Sequence, residues 1–189
     1  MKYKIVIIGG SAGSFQVVTK ILSKLPPHFN LPVVLALHRL KHVRHGFVEA
    51  LSIKSALPVS EPLDKESIKP GKVYLAPANY HLYIELAGKF ALSTEEAFNH
   101  SRPAIDLTFS TGAYSYKEKT IGIILSGANK DGALGLKKVK EHGGTTIVQD
   151  PKEAQMPTMP TAAIDKTGQV NHIMEVDGII KFLNSLAKS

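Results

Sequence analysis

Ser11, His38 and Asp131 are the residues of this chain whose types and placement suit acyl-transfer chemistry. Ser11 lies in Gly9-Gly10-Ser11-Ala12-Gly13, between an apolar run and an amphipathic one. The pattern Gly-x-Ser-x-Gly allows a sharp strand-to-helix turn that exposes the serine oxygen above the strand end. Backbone N–H groups at the start of the helix then face a developing oxyanion. A serine nucleophile needs a base, and the base needs an orienting carboxylate. His38 follows the apolar run 32–37, and Asp131 comes after the apolar run 120–125, beyond Ser126-Gly127-Ala128-Asn129-Lys130. All three residues thus fall just beyond strand ends, where open α/β sheets gather their functional groups.

Other chemistries use the same positions. A dinucleotide fingerprint needs glycines at offsets zero, two and five, but from Gly9 the later positions are Ser11 and Ser14. No Gly-Lys-Ser/Thr is present at the spacing of a phosphate loop. Ser11 and Asp131 are also good helix N-caps, which is the alternative reading for each. His38 has a metal-ligand alternative with His42 and His45, since that spacing shares one face if the segment is helical. A strand ending at His38 breaks that face, and no metal is expected. The chain order Ser, His, Asp differs from the Ser, acid, His order of the common α/β-hydrolases.

Positioning these residues requires a set of strands and helices that the hydrophobic pattern supplies. Runs 3–8, 32–37, 120–125 and 145–148 are rich in Val, Ile and Leu without alternation, as expected of buried parallel strands. Helical spacing appears at 15–25, 46–53, 104–113, 132–142 and 177–187. Segments 72–77, 81–86 and 89–92 read as short strands of a small antiparallel meander. The expected fold is α/β: one domain over 1–189, with an open, mostly parallel sheet, helices on both faces and a small antiparallel hairpin insertion.

Composition narrows the classes. Hydrophobic residues are 43% and charged residues 21%, an ordinary globular balance. The absence of cysteine removes disulfides and thiolate catalysis and suits a cytoplasmic setting. No apolar stretch is long enough to insert in a membrane. The net charge is +7, but the Lys and Arg residues are scattered without interleaved aromatics, so nucleic acid is not the expected partner.

Several blocks, in order along nearly the whole chain, resemble the catalytic domain of CheB-type chemotaxis protein-glutamate methylesterases. They are Ile7-Ile8-Gly9-Gly10-Ser11-Ala12-Gly13, Ala36-Leu37-His38, Pro70-Gly71-Lys72-Val73-Tyr74-Leu75-Ala76-Pro77 with His81, and Ser101-Arg102-Pro103-Ala104-Ile105-Asp106. Leu125-Ser126-Gly127-Ala128-Asn129-Lys130-Asp131-Gly132-Ala133, Gln149-Asp150-Pro151 and Met159-Pro160-Thr161-Ala162-Ala163-Ile164 complete the series.

The resemblance implies hydrolysis of glutamate γ-methyl esters on the cytoplasmic domains of methylated chemoreceptors, with methanol released. Some relatives also deamidate glutamines. It implies Ser11 as nucleophile, His38 as base and Asp131 as orienting acid, with no metal or organic cofactor. The oxyanion or pocket residues are expected at Ala12, Gly13 and Ala128. The chain departs from the family pattern at Ser14, Ala128 and Arg39-Leu40, changes expected at the pocket rim. A receiver domain, common in the family, has no room before a first strand near Tyr3, so constitutive activity or control by a separate regulatory protein is expected. The competing reading is a catalytically silent module that grips acidic helical segments.

Overall fold

The computed structural model describes residues 2–39 and 46–187. Its centre is β1 (Ile5–Gly10), whose side chains are all buried. Ile5 and Ile7 enter one core and Val6 and Ile8 the other, so both faces of the strand are covered. This is why the run reads as continuously apolar. The strand leads through α1 (Ser14–Lys24) to β2 (Val33–Leu37), which lies parallel beside it. α2 (Phe47–Lys54), β3 (Val59–Ser60) and β4 (Val73–Leu75) come next, and the two strands extend the sheet outward from β2.

The chain then makes an antiparallel hairpin of β5 (His81–Ile84) and β6 (Phe90–Ser93), followed by α3 (Ile105–Tyr116). It returns to the other side of β1 as β7 (Thr120–Ile124), then continues through α4 (Ala133–Glu141), β8 (Thr145–Gln149), α5 (Thr158–Thr167), β9 (His172–Met174) and α6 (Val176–Leu186). The sheet order is β3-β4-β2-β1-β7-β8-β9, parallel throughout. α1, α2 and α6 pack with one core and α3, α4, α5 and the hairpin with the other. No helix among the described residues is long and apolar enough to cross a membrane.

The expected α/β class and the hairpin are found, with one correction. Segment 72–77 is not part of an antiparallel meander: β4 pairs in parallel with β2 and β3. Val73, Tyr74 and Leu75 are all buried, the pattern of a strand covered on both faces rather than of a hairpin arm. Three further elements carry little sequence signal. β3 and β9 are two and three residues long. α5 contains Pro160 in its first turn, where a proline's missing N–H costs nothing because that turn has no intrahelical acceptor.

α3 and α4 approach closely at Gly135. A Cβ there would lie 2.6 Å from Phe109 Cβ and 3.0 Å from the Asp106 backbone. Alanine favours a helix by about 1 kcal/mol over glycine, but Phe109 Cβ is anchored to the backbone and cannot yield easily. We expect Gly135→Ala to lower stability by about 1–3 kcal/mol, read as a lower urea midpoint. A raised midpoint would mean that the helices separate freely at this point.

Candidate active site

β1 ends in Gly10 and turns through Ala12 and Gly13 into α1, with Gly13 at φ 79° as the N-cap. Ser11 is therefore not the helix cap, and the capping alternative for it falls. Leu125 N donates to Gly9 O, and Ser11 N donates to Ser126 O, both at 2.9 Å. These bonds carry the β1–β7 ladder past the strand ends and hold the serine backbone rigidly. Ser126 Oγ donates to Ala12 O at 2.7 Å and accepts from Met156 N at 2.9 Å, locking the turn from the other side. Ser14, one of the family departures, is buried and its Oγ donates to Ser11 O at 2.6 Å.

Ser11 Oγ makes no hydrogen bond among the described residues. The N–H groups of Ala12, Gly13 and Ala128 likewise have no intramolecular acceptor among them. A sharp turn that leaves donors and a hydroxyl uncommitted can receive a polar reacting group.

His38 is the next residue after β2, and its N–H donates to Gly10 O at 3.0 Å, beside the serine turn. Its Nε2 lies 2.7 Å from Asp131 Oδ2 and its Nδ1 lies 3.2 Å from Asn129 Nδ2. An ionised carboxylate only accepts, so the ring proton is on Nε2 and Nδ1 carries the lone pair. The Asn129 amide is oriented by the N–H of Asp131, which donates to Asn129 Oδ1 at 3.1 Å. The serine-protease triad instead turns Nδ1–H to its carboxylate and Nε2 to its serine. Here the ring is reversed.

Asp131 is fully buried and gathers an unusual set of donors. Oδ2 accepts from His38 Nε2 and, at 2.7 Å, from Ile105 N. Oδ1 accepts from Asp106 N at 3.0 Å, Gly132 N at 3.0 Å and Asn99 Nδ2 at 3.2 Å. Asp131 therefore caps α3, whose own N-cap residue is Ala104 and offers no side chain. It is not the cap of α4, the alternative its sequence position suggests, because Gly132 holds that place. Burial pushes the Asp131 carboxyl up, but the bonds from His38, Ile105 and Asp106 outweigh it and hold the group below its usual range.

Asp106 reciprocates: its Oδ1 accepts from Gly135 N in the first turn of α4. Its carboxyl is pushed up, chiefly by burial, against the opposing bond from Gly135. Behind it, fully buried His81 accepts from Ala104 N through Nδ1 and donates from Nε2 to Glu96 O. The roles of Asn99, Asp106, Asn129 and His81 are absent from the residue pattern, although Asp106, Asn129 and His81 fall within the blocks that resemble the methylesterases.

Arg39 does not sit at a pocket rim. Its side chain is 1% exposed, bonded to Glu61 Oε1 and Ala76 O at 2.7 Å each, and stacked near the Phe47 ring. Leu40, His42 and His45 lie outside the described residues. An open cleft of about 970 Å³ flanks the Asn129–Asp131 turn, with Phe98, His100, Leu134 and Lys166 among its walls.

A parallel α/β sheet bearing a serine turn, a carboxylate-bound histidine and free turn N–H groups on three neighbouring strand ends has the layout of a nucleophilic hydrolase. The family model of CheB methylesterase matches residues 6–183, and the chain belongs to this family. A Leptospira interrogans protein is 42% identical over 179 residues, covering 95% of this chain and 92% of its own. The protein-glutamate methylesterase/protein-glutamine glutaminase of Thermotoga maritima is 38% identical, and the match covers 90% of this chain and 50% of that protein. The crystal structure of the Thermotoga maritima CheB methylesterase catalytic domain superimposes with a TM-score of 0.91 at 36% identity, covering 98% of this chain and 100% of that one.

The depressed Asp131 carboxyl makes a signed prediction. Its stabilising contribution is complete above its unfolded value of about 4 and drains as pH falls through the lower folded value. Asp131→Asn should therefore flatten the acid limb of unfolding free energy against pH, measured by urea titration. A limb as steep as in the wild type would assign it to other carboxylates.

Proposed function

We propose that this chain is a serine-dependent protein-glutamate methylesterase that cleaves glutamate γ-methyl esters on methylated chemoreceptor segments, and glutamine amides by the same route. The reading rests on one observation above the others: Asp131 takes Nε2–H, leaving His38 Nδ1 unprotonated on a residue whose backbone N–H is bonded to Gly10 O, next to Ser11. Family membership supplies the substrate class. The catalytic domain is taken to span 1–189, working either constitutively or under a separate regulatory protein.

In this mechanism Ser11 Oγ attacks the ester carbonyl while its proton passes to His38 Nδ1. Asp131 holds the ring in the Nε2–H tautomer and stabilises the imidazolium that forms. The tetrahedral oxyanion is received by backbone N–H groups from the turn, at Ala12 or Gly13 and at Ala128. Collapse expels methoxide, which takes the proton from Nδ1 and leaves as methanol. Water then attacks the acyl-enzyme, giving its proton to the same nitrogen, and glutamate is released as Oγ is reprotonated. A glutamine substrate reacts by the same path with ammonia as the leaving group.

Methanol release from methylated chemoreceptor membranes tests the proposal directly. Ser11→Ala should lower it by about 10³-fold or more. Equal release from both proteins would remove Ser11 from the mechanism.

A further inference from the structure

We propose that Asn129 is a built-in brake on this site: its carboxamide occupies the histidine nitrogen that must accept the Ser11 proton. The inference rests on the proposed triad and adds to it an autoinhibitory positioning residue. His38 Nδ1 accepts from Asn129 Nδ2 at 3.2 Å, and no hydrogen bond joins it to Ser11 Oγ among the described residues. The resting site therefore has its base engaged by an amide rather than by its nucleophile.

The amide cannot relieve this by turning over in place. Asn129 Oδ1 accepts from Asp131 N, so a flip would set an NH₂ group against an N–H and a carbonyl oxygen against the Nδ1 lone pair. Proton transfer makes matters worse for the contact. Once Nδ1 carries the Ser11 proton, it is a donor facing the Asn129 NH₂, another donor. A bond to the neutral ring is thereby lost when the ring becomes charged, which disfavours the charged form. The reaction requires Asn129 to rotate away, and there is room for this. Asn129 is partly exposed and lines the open cleft shared with Phe98, His100 and Lys130.

The test isolates the nucleophile from substrate binding by using a fluorophosphonate. Ser11 Oγ forms a bond to phosphorus, fluoride leaves, and the proton goes to His38 Nδ1. Asn129→Ala and Asn129→Gly should label about three- to tenfold faster than wild type, the worth of one neutral hydrogen bond. A merely structural role predicts slower labelling, so the sign discriminates. Unchanged or slower labelling in both variants, with circular dichroism as in wild type, overturns the brake.

A second readout needs no variant. The ¹⁵N spectrum of the wild-type protein at neutral pH should show the His38 proton on Nε2 and Nδ1 as a hydrogen-bonded acceptor. A ring protonated on Nδ1 overturns the proposal whatever the variants do. Ser11→Ala separates the two readings. Label retained there overturns the triad itself, whereas label lost there but not accelerated in the Asn129 variants overturns the brake alone.

Discussion

A carboxylate removed from water survives as an anion only where enough donors converge on it. Asp131 is that anion here, and meeting its needs organises much of the active-site end of the molecule. Its oxygens draw in the first N–H groups of α3, the N–H of Gly132, the Asn99 amide and the His38 ring. The positive end of α3 stabilises the charge, and the charge supplies the cap that Ala104 lacks. The same interaction that anchors a helix therefore fixes the tautomer of the histidine. Reciprocal bonding by Asp106 to Gly135 ties α4 into the arrangement, and the close α3–α4 packing at Gly135 makes that bond possible.

The sheet topology explains why this anchor lies beside the serine turn. From β1 the chain crosses one face through α1 to reach β2, while from β7 it crosses the other face through α4 to reach β8. The adjacent ends of β1 and β7 thus open into helices that diverge, leaving a crevice at the switch point. The serine turn leaves the end of β1 and the Asn129–Asp131 turn follows the end of β7, with His38 at the end of β2 bonded to both Gly10 O and Asp131. Backbone bonds from the residues just after β7 clamp the serine turn.

Much of this layout is legible in the residues because buried parallel strands are uninterrupted apolar runs, and in an α/β fold the turn beyond such a run is where function gathers. Ser11, His38 and Asp131 stand out for that reason, and the glycines around Ser11 exclude the dinucleotide alternative. The partners of Asp131 are not legible. That it caps α3 rather than the helix it immediately precedes depends on how α3 and α4 cross, which no local spacing encodes. The Asn129 amide cannot be assigned to His38 without the sheet order that brings β2, β1 and β7 side by side. β4 is misleading because its nearness in sequence to the hairpin competes with its fully buried pattern. Arg39 is expected at the rim as a departure from the family pattern, whereas Glu61, Ala76 O and the Phe47 ring draw it inside.

The order of the strands also ties the Asp131–His38 pair to the end of folding. Ser11 and His38 belong to one local β1–α1–β2 unit, but the carboxylate arrives only when β7 returns to pair with β1, across more than a hundred residues of intervening chain. Closing so long a loop is entropically late. A chain that has formed only its first unit holds a serine and an imidazole with nothing to choose between ring tautomers or to steady the ring. The set of the His38 ring is therefore a property of the completed sheet, acquired at completion rather than built up strand by strand.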